Sequence, residues 1–234
     1  QGIDTSNLGF TMSPHEECAI EEAIQQIEEH GGAATVLTLG PEEAEEQLRT
    51  GLAMQADDAT LLETEGEEWS PRATAGAIAD AVRESSDDGV GFDLLLFGNE
   101  SADTANYQVG VRVARELGLP CVTGIKSLDV DDGTAVAKRE ISGGEEVYEV
   151  DLPVVVSVKE GINEPRYASM RAKMQARRQE VEHRAPERDE GAGTFEMIRL
   201  ESPADDDSEA EILGEGPGAA PDVVEVLDED VEVL

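Results

Sequence analysis

The apolar run Leu94-Leu95-Leu96-Phe97, closed by Gly98, constrains this chain more than any other stretch. Such a run reads as a strand over residues 93–97, buried on both faces, which needs parallel neighbours and helices above and below it. A polar loop follows, and then V-R-V-A-R-E-L-G over 111–118. This predicts a helix that begins at Asp103 or Thr104 and ends at Leu117. In an open α/β sheet, a loop leaving the carboxyl end of a strand for a helix N-terminus is where a phosphate-bearing ligand sits. Two readings of Gly98–Gly110 stay open on residue chemistry alone. In one, Gly98 admits close backbone approach, the Ser101 and Thr104 hydroxyls and the helical N–H groups hold a phosphate, and Glu100 and Asp103 touch ribose hydroxyls. In the other, the segment is a connection that Asp103 caps.

The rest of the chain repeats the same alternation. Ser13-Pro14 opens an amphipathic helix over 14–29, with Ala19, Ile20, Ala23, Ile24 and Ile27 on one side. Strands are predicted over 34–39, 59–62 and 121–125, with helices over 41–54 and from 71 to about 84. The expected fold is therefore α/β: a mostly parallel sheet with helices on both faces, Rossmann-like and suited to an adenine nucleotide. From Leu128 the pattern turns to alternating strands. Residues 134–141 and 146–150 form a hairpin about Ser142-Gly143-Gly144, and Val154–Val158 is a buried strand. Ile162–Tyr167 reads as a loop and 168–183 as a basic helix. Residues 1–185 are expected to form the nucleotide-binding domain and 186–234 an acidic C-terminal arm. The linker at Gly214–Pro221 leads to an apolar end that docks either on a partner chain or back on its own core.

Composition narrows the function. The chain has 54 acidic and 17 basic residues, a formal net charge of -37, and lysine only at 126, 138, 159 and 173. That surface excludes nucleic acid as a partner and suits a high-salt cytoplasm, where salt screens the self-repulsion. Cys18 and Cys121 stand in no metal or redox spacing and read as two reduced core thiols. No apolar run is long enough to span a membrane, so the expected location is cytoplasmic. His15, His30 and His183 read as cap, helix-end and surface residues. No catalytic or metal-ligating set emerges, which leaves a binding protein or carrier rather than an enzyme. The loop around Asn163-Glu164-Pro165-Arg166 is open to two readings, an ordinary turn or a partner-recognition loop. A stand-alone adenine-nucleotide regulator of the universal-stress type is the alternative function, although no glycine pattern of that type follows Gly98.

Four blocks carry a resemblance to a known family. They are M-S-P-H-E-E-C-A-I-E-E-A at 12–23, G-P-E-E-A-E-E-Q-L-R-T-G-L-A-M-Q-A-D-D-A at 40–59, G-N-E-S-A-D-T-A-N-Y-Q-V-G at 98–110, and K-R-E-I-S-G-G with L-P-V-V-V-S-V and I-N-E-P-R-Y-A-S-M at 138–170. Together they resemble the electron-transfer flavoprotein β subunit, in an acidic, haloarchaeal-type form. The resemblance implies a heterodimer with an α subunit that holds most of an FAD, and an AMP in the β subunit, replaced by a second FAD in bifurcating relatives. It implies electrons arriving from dehydrogenases such as acyl-CoA dehydrogenases and leaving to a quinone oxidoreductase or similar acceptor. By position, the nucleotide residues are Ser13, Leu39, Gly98, Asn99, Glu100, Ser101, Ala102, Asp103, Thr104, Gln108 and Val109. Serine at 13 stands where the family commonly has asparagine. Glu140 matches a residue that pairs with the α subunit. Asn163, Glu164, Pro165, Arg166, Tyr167 and Met170 match the recognition loop, with methionine where leucine is usual. The family begins with a strand and a nucleotide-contacting loop ahead of the segment matching Gly2, so a first strand is expected to precede this sequence.

Overall fold

The computed structural model describes residues 9–85, 90–187, 198, 201 and 212–230. Two compact units divide the chain, Ile3–Glu196 and Met197–Leu234 with Gln1–Gly2. In the larger unit, α1 (Pro14–His30) precedes β1 (Thr35–Gly40), and a 3-10 turn at Glu42–Ala44 leads into α2 (Glu45–Ala53). Then come β2 (Asp58–Glu63), α3 (Pro71–Glu84), β3 (Leu94–Gly98), α4 (Val109–Leu117) and β4 (Cys121–Ile125). β5 (Ser127–Asp131), β6 (Thr134–Ile141), β7 (Gly144–Asp151), β8 (Val154–Val158), α5 (Met170–Ala176) and β9 (Glu182–Arg184) complete it.

The strands form three sheets, ordered β1-β2-β9, β3-β8-β4 and β5-β6-β7. The first two are parallel and the third is antiparallel, so the α/β expectation with mostly parallel strands holds. β8 lies between β3 and β4, and its valines at 154, 155, 156 and 158 are fully buried. A continuous β-branched run is what a strand covered on both faces requires. The two parallel sheets share one core: Leu62 of β2 and Leu95 of β3 pack with Ala75, Ile78 and Val82 of α3 and Val113 of α4. On the other face, Cys18 and Ala19 of α1 pack with Val154, Val156 and Val158, and with Ala135 and Ala137 of the antiparallel sheet. Thus α1 lies against the sheet β3-β8-β4, and its first turn meets Gly98 at the end of β3.

Three expectations need correction. The helix after β3 starts at Val109, not at Asp103 or Thr104. The basic helix expected over 168–183 is only Met170–Ala176, and His183 lies in β9, parallel to β2. Arg49 accounts for this, because its guanidinium takes the carbonyls of Ala176 and Gln179 and so ends the helix. Cys121 is an exposed strand residue rather than a core thiol; Cys18 is buried. Parts of the acidic arm expected over 186–234 lie outside the described residues.

In the smaller unit a 3-10 turn, Pro217–Ala219, runs into the short helix α6 (Ala220–Glu225), with Val223 and Val224 exposed. The linker expected there is thus partly helical. Among the described residues, no helix is long and apolar enough to cross a membrane.

Candidate functional site

The first turn of α1 is a capping box. The Ser13 hydroxyl accepts from the Glu16 N–H (3.3 Å), and the Ser13 N–H donates to the Glu16 carboxylate (2.7 Å). The same hydroxyl donates to the carbonyl of Glu100 at 3.1 Å. Ser13 is 2% exposed, so its side chain serves the fold and holds the loop. Gly98 is explained by the same contact. A Cβ there would stand 2.6 Å from the Glu16 Cγ and 2.9 Å from its backbone nitrogen. The glycine makes room for the first turn of α1.

The loop beyond Gly98 is tied at both ends. The Asn99 N–H donates to the Val158 carbonyl (2.9 Å), and its side-chain oxygen accepts from Ser157 (3.0 Å). Ser157 in turn accepts from the Gly124 N–H (2.9 Å), so Asn99 faces the sheet. The Glu100 carboxylate lies 3.0 Å from the His15 Nε2. Hydrogen bonding by Tyr107 lowers the Glu100 pKa most, against desolvation, and His15 and Lys159 lower it further. Asp103 accepts from the Thr104 N–H (2.6 Å) and does not cap α4. Its pKa is lowered chiefly by Ser101 and then by that N–H. Ala105 and Tyr107 have positive φ (45° and 56°), which stops a helix from starting before them.

These bonds turn Glu100 onto His15 and Tyr107, whereas Asp103 stays exposed at the tip beside Ser101 and Thr104. The Ser101 and Thr104 hydroxyls lie 3.2 Å apart, with Ala102, Asp103 and Thr104 exposed. The N-cap of α4 is Gln108, whose side chain caps nothing; its Oε1 accepts instead from Arg112 at 2.9 and 3.1 Å. The leading N–H groups of α4, beginning at Val109, are therefore without a side-chain cap, and a guanidinium stands beside them. Hydroxyls, helical N–H groups and one arginine are a donor set that fits a phosphate. Arg112 was missed in the sequence. The only signal was its place four residues after Gln108, one helical turn on. Gly110 has a packing role, since a Cβ there would meet Phe97 at 3.1 Å. Leu39 packs on the core shared by the two parallel sheets.

A second group lies on the segment after β8. Asn163 donates to the Cys18 carbonyl (3.1 Å) and to Glu22 (3.0 Å). The Arg166 guanidinium binds Glu21 (2.8 and 3.0 Å) and Glu28 (2.7 and 3.1 Å), and its N–H also donates to Glu21 (3.0 Å). Burial raises the Glu21 pKa, yet its bonds to Arg166 more than offset this and hold the carboxyl below its ordinary value. Asn163 and Arg166 thus face α1. Glu164, Pro165, Tyr167 (89% exposed) and Met170 (74%) face outward, with Met174 also exposed and Lys173 over the Tyr167 ring at 4.7 Å. A shallow groove of ≈ 430 Å³ runs between Pro14 and Cys18 on one side and Gly161 and Pro165 on the other. It lies beside the loop after β3 rather than on it. Glu140 sits on β6 directly opposite Glu145, both exposed, so its like-charged neighbour leaves it open to a basic partner. The structure does not bring Glu140 together with the loop 98–109.

Residues 2–189 match the family model described as the electron transfer flavoprotein domain. The chain is 38% identical over 180 residues to the electron transfer flavoprotein subunit beta of Bacillus subtilis, covering 77% of this chain and 69% of that protein. It is 37% identical over 183 residues to the protein of the same name from Syntrophomonas wolfei, with 76% and 69% covered. To that of Mycobacterium tuberculosis (strain H37Rv) it is 36% identical over 185 residues, with 76% and 68% covered.

Proposed function

This chain belongs to the electron transfer flavoprotein family as a β subunit, and on that premise we propose how its surfaces divide the work. As a β subunit it is an electron carrier, a flavin is part of its function, and an α subunit is its partner. Our reading is that the loop 98–109 holds AMP. The phosphate lies on the Ser101 and Thr104 hydroxyls and the first turn of α4, with Arg112 beside it. Glu100 is drawn onto His15 and Tyr107, which lowers the repulsion an acidic loop would offer a phosphate, while the exposed Asp103 meets ribose hydroxyls. That retraction, beside an uncapped α4, is the observation that carries the assignment.

The flavin, held mainly by the α subunit, supplies the redox centre. This chain's part is to hold the nucleotide, to help enclose that centre and to present a docking face. Glu140 pairs with the α subunit. Asn163 and Arg166 fix the recognition loop on α1, while Glu164, Pro165, Tyr167 and Met170 meet the dehydrogenase. The donors are dehydrogenases of the acyl-CoA type, as in fatty acid oxidation, and the acceptor is a quinone oxidoreductase or similar protein. The dispersed acidic surface supports a reading of the protein as one of a high-salt cytoplasm, of the haloarchaeal type. The acidic arm from 186 onward docks on the α subunit.

Co-expression with the α subunit and quantification of released nucleotides test this. One FAD and one AMP per heterodimer are expected. Two FAD and no AMP would move the reading to the bifurcating form, and a chain that binds neither an α subunit nor any nucleotide would refute it.

A further inference from the structure

We propose that His15 is a positioning residue that couples the nucleotide loop to the partner-recognition loop, so that a ligand on the first is felt at the second. The proposal rests on the reading of 98–109 as the nucleotide loop given above.

His15 is the second residue of α1 and lies between two segments far apart in sequence. Its Nδ1 accepts from the backbone N–H of Glu160 at 2.9 Å. A ring nitrogen that accepts carries no proton, so the neutral ring has its proton on Nε2. That Nε2–H donates to the Glu100 carboxylate at 3.0 Å. One imidazole therefore joins the loop after β3 to the segment after β8, using both nitrogens in fixed roles. Only 14% of its side chain is exposed, so water competes weakly for either bond.

The helix extends the connection. Ser13 holds the Glu100 carbonyl, His15 holds the Glu160 N–H, the Cys18 carbonyl and Glu22 hold Asn163, and Glu21 and Glu28 hold Arg166. Positions 15, 18 and 22 are spaced i, i+3, i+7, and 21 and 28 are seven apart, so these contacts lie along one side of α1. The segment 160–166 thus runs along the helix in the same direction, contact after contact. The Asn99 N–H also bonds the Val158 carbonyl, just ahead of the Lys159–Glu160 turn. A ligand that orders 98–109 fixes Glu100, Glu100 fixes the His15 ring, and the ring fixes Glu160. The coupling is a chain of direct hydrogen bonds, and it needs no change of fold.

Hydrogen exchange of the full chain, with and without AMP as the probe, tests this in three proteins: wild type, His15→Phe and His15→Gln. Phenylalanine keeps a ring in place and removes both bonds. Glutamine keeps one donor and one acceptor. In the wild type, AMP is expected to slow exchange in 98–109 and also about fivefold or more at Glu160–Tyr167, the scale of ordinary coupling between sites. In His15→Phe the slowing at 98–109 should persist while the response at Glu160–Tyr167 disappears, and His15→Gln should restore part of it. A purely structural role would raise the basal exchange of both states alike and leave the AMP response unchanged. Protection of 98–109 without any response at Glu160–Tyr167 in the wild type would overturn the coupling and spare the nucleotide site. An unchanged response in His15→Phe would overturn the role of His15. No protection by AMP at 98–109 would remove the nucleotide reading, and the coupling with it.

Discussion

Removing Arg166 tests whether the recognition loop owes its shape to a buried ion pair. The Glu21 side chain is 4% exposed and that of Glu28 56%, although both carboxylates bind the same guanidinium. Arg166→Ala would leave Glu21 inside the protein with only the Arg166 N–H and the Gln25 amide as donors. Leaving one member of a buried pair without its partner costs about 3–5 kcal/mol. Two neutral donors remain here, so the lower end, about 3 kcal/mol, is expected. The exposed half of the interaction is screened by solvent, so Glu28→Ala should be nearly silent. The assay is urea unfolding of the full chain at one fixed, high salt concentration, followed by circular dichroism. For a unit of this size, about 3 kcal/mol also lowers Tm by roughly 6–12 °C. Glu21→Leu with Arg166→Leu should recover much of the loss, because the orphaned charge goes with its partner. Equal costs for Arg166→Ala and Glu28→Ala, or a double substitution that merely adds the single effects, would refute the argument.

Three further outcomes are expected. His183 lies between Glu63 (2.7 Å) and Glu45 (3.1 Å), and the Glu63 bond raises its pKa most, against burial. Its contribution is therefore complete below the unfolded value of about 6.5 and is lost as pH rises through the higher folded value, so the gap in urea midpoint between wild type and His183→Gln should narrow on going alkaline. Gly98→Ala forces a methyl into Glu16; about 1–3 kcal/mol of stability should go, and calorimetry should show weaker AMP binding as the loop shifts. Ser157→Ala removes the acceptor of the buried Gly124 N–H, which should cost about 1–3 kcal/mol in the same unfolding assay and speed exchange of the Gly124 amide.

Local pattern made the sheets legible and long-range contact hid the rest. β4, β6 and β8 were predicted at the bounds they have, because uninterrupted apolar or alternating runs leave no competing element. β5 was missed: S-L-D-V-D offers two apolar residues and gains its place only by pairing with β6. The overlong basic helix followed true helical propensity through Glu180, but a distant arginine holds the carbonyls that end it. The candidate loop was found by its position after a buried strand. Its helix was started too early because the positive φ of Ala105 and Tyr107 has no signature in alanine or tyrosine. His15 read as a cap residue, since nothing near it in sequence names Glu100 or Glu160 as partners.

The row of contacts along α1 also limits how this protein can vary. Each residue of a helix turns the chain by about 100° and advances it by about 1.5 Å. A single insertion or deletion between His15 and Glu21 would swing every later contact off the 160–166 segment, and a compensating change would have to arise more than a hundred residues away. The opposite side of α1 is held as well, because Ile20, Ala23, Ile24 and Ile27 pack into the core, so both the spacing and most of the faces of this helix are locked.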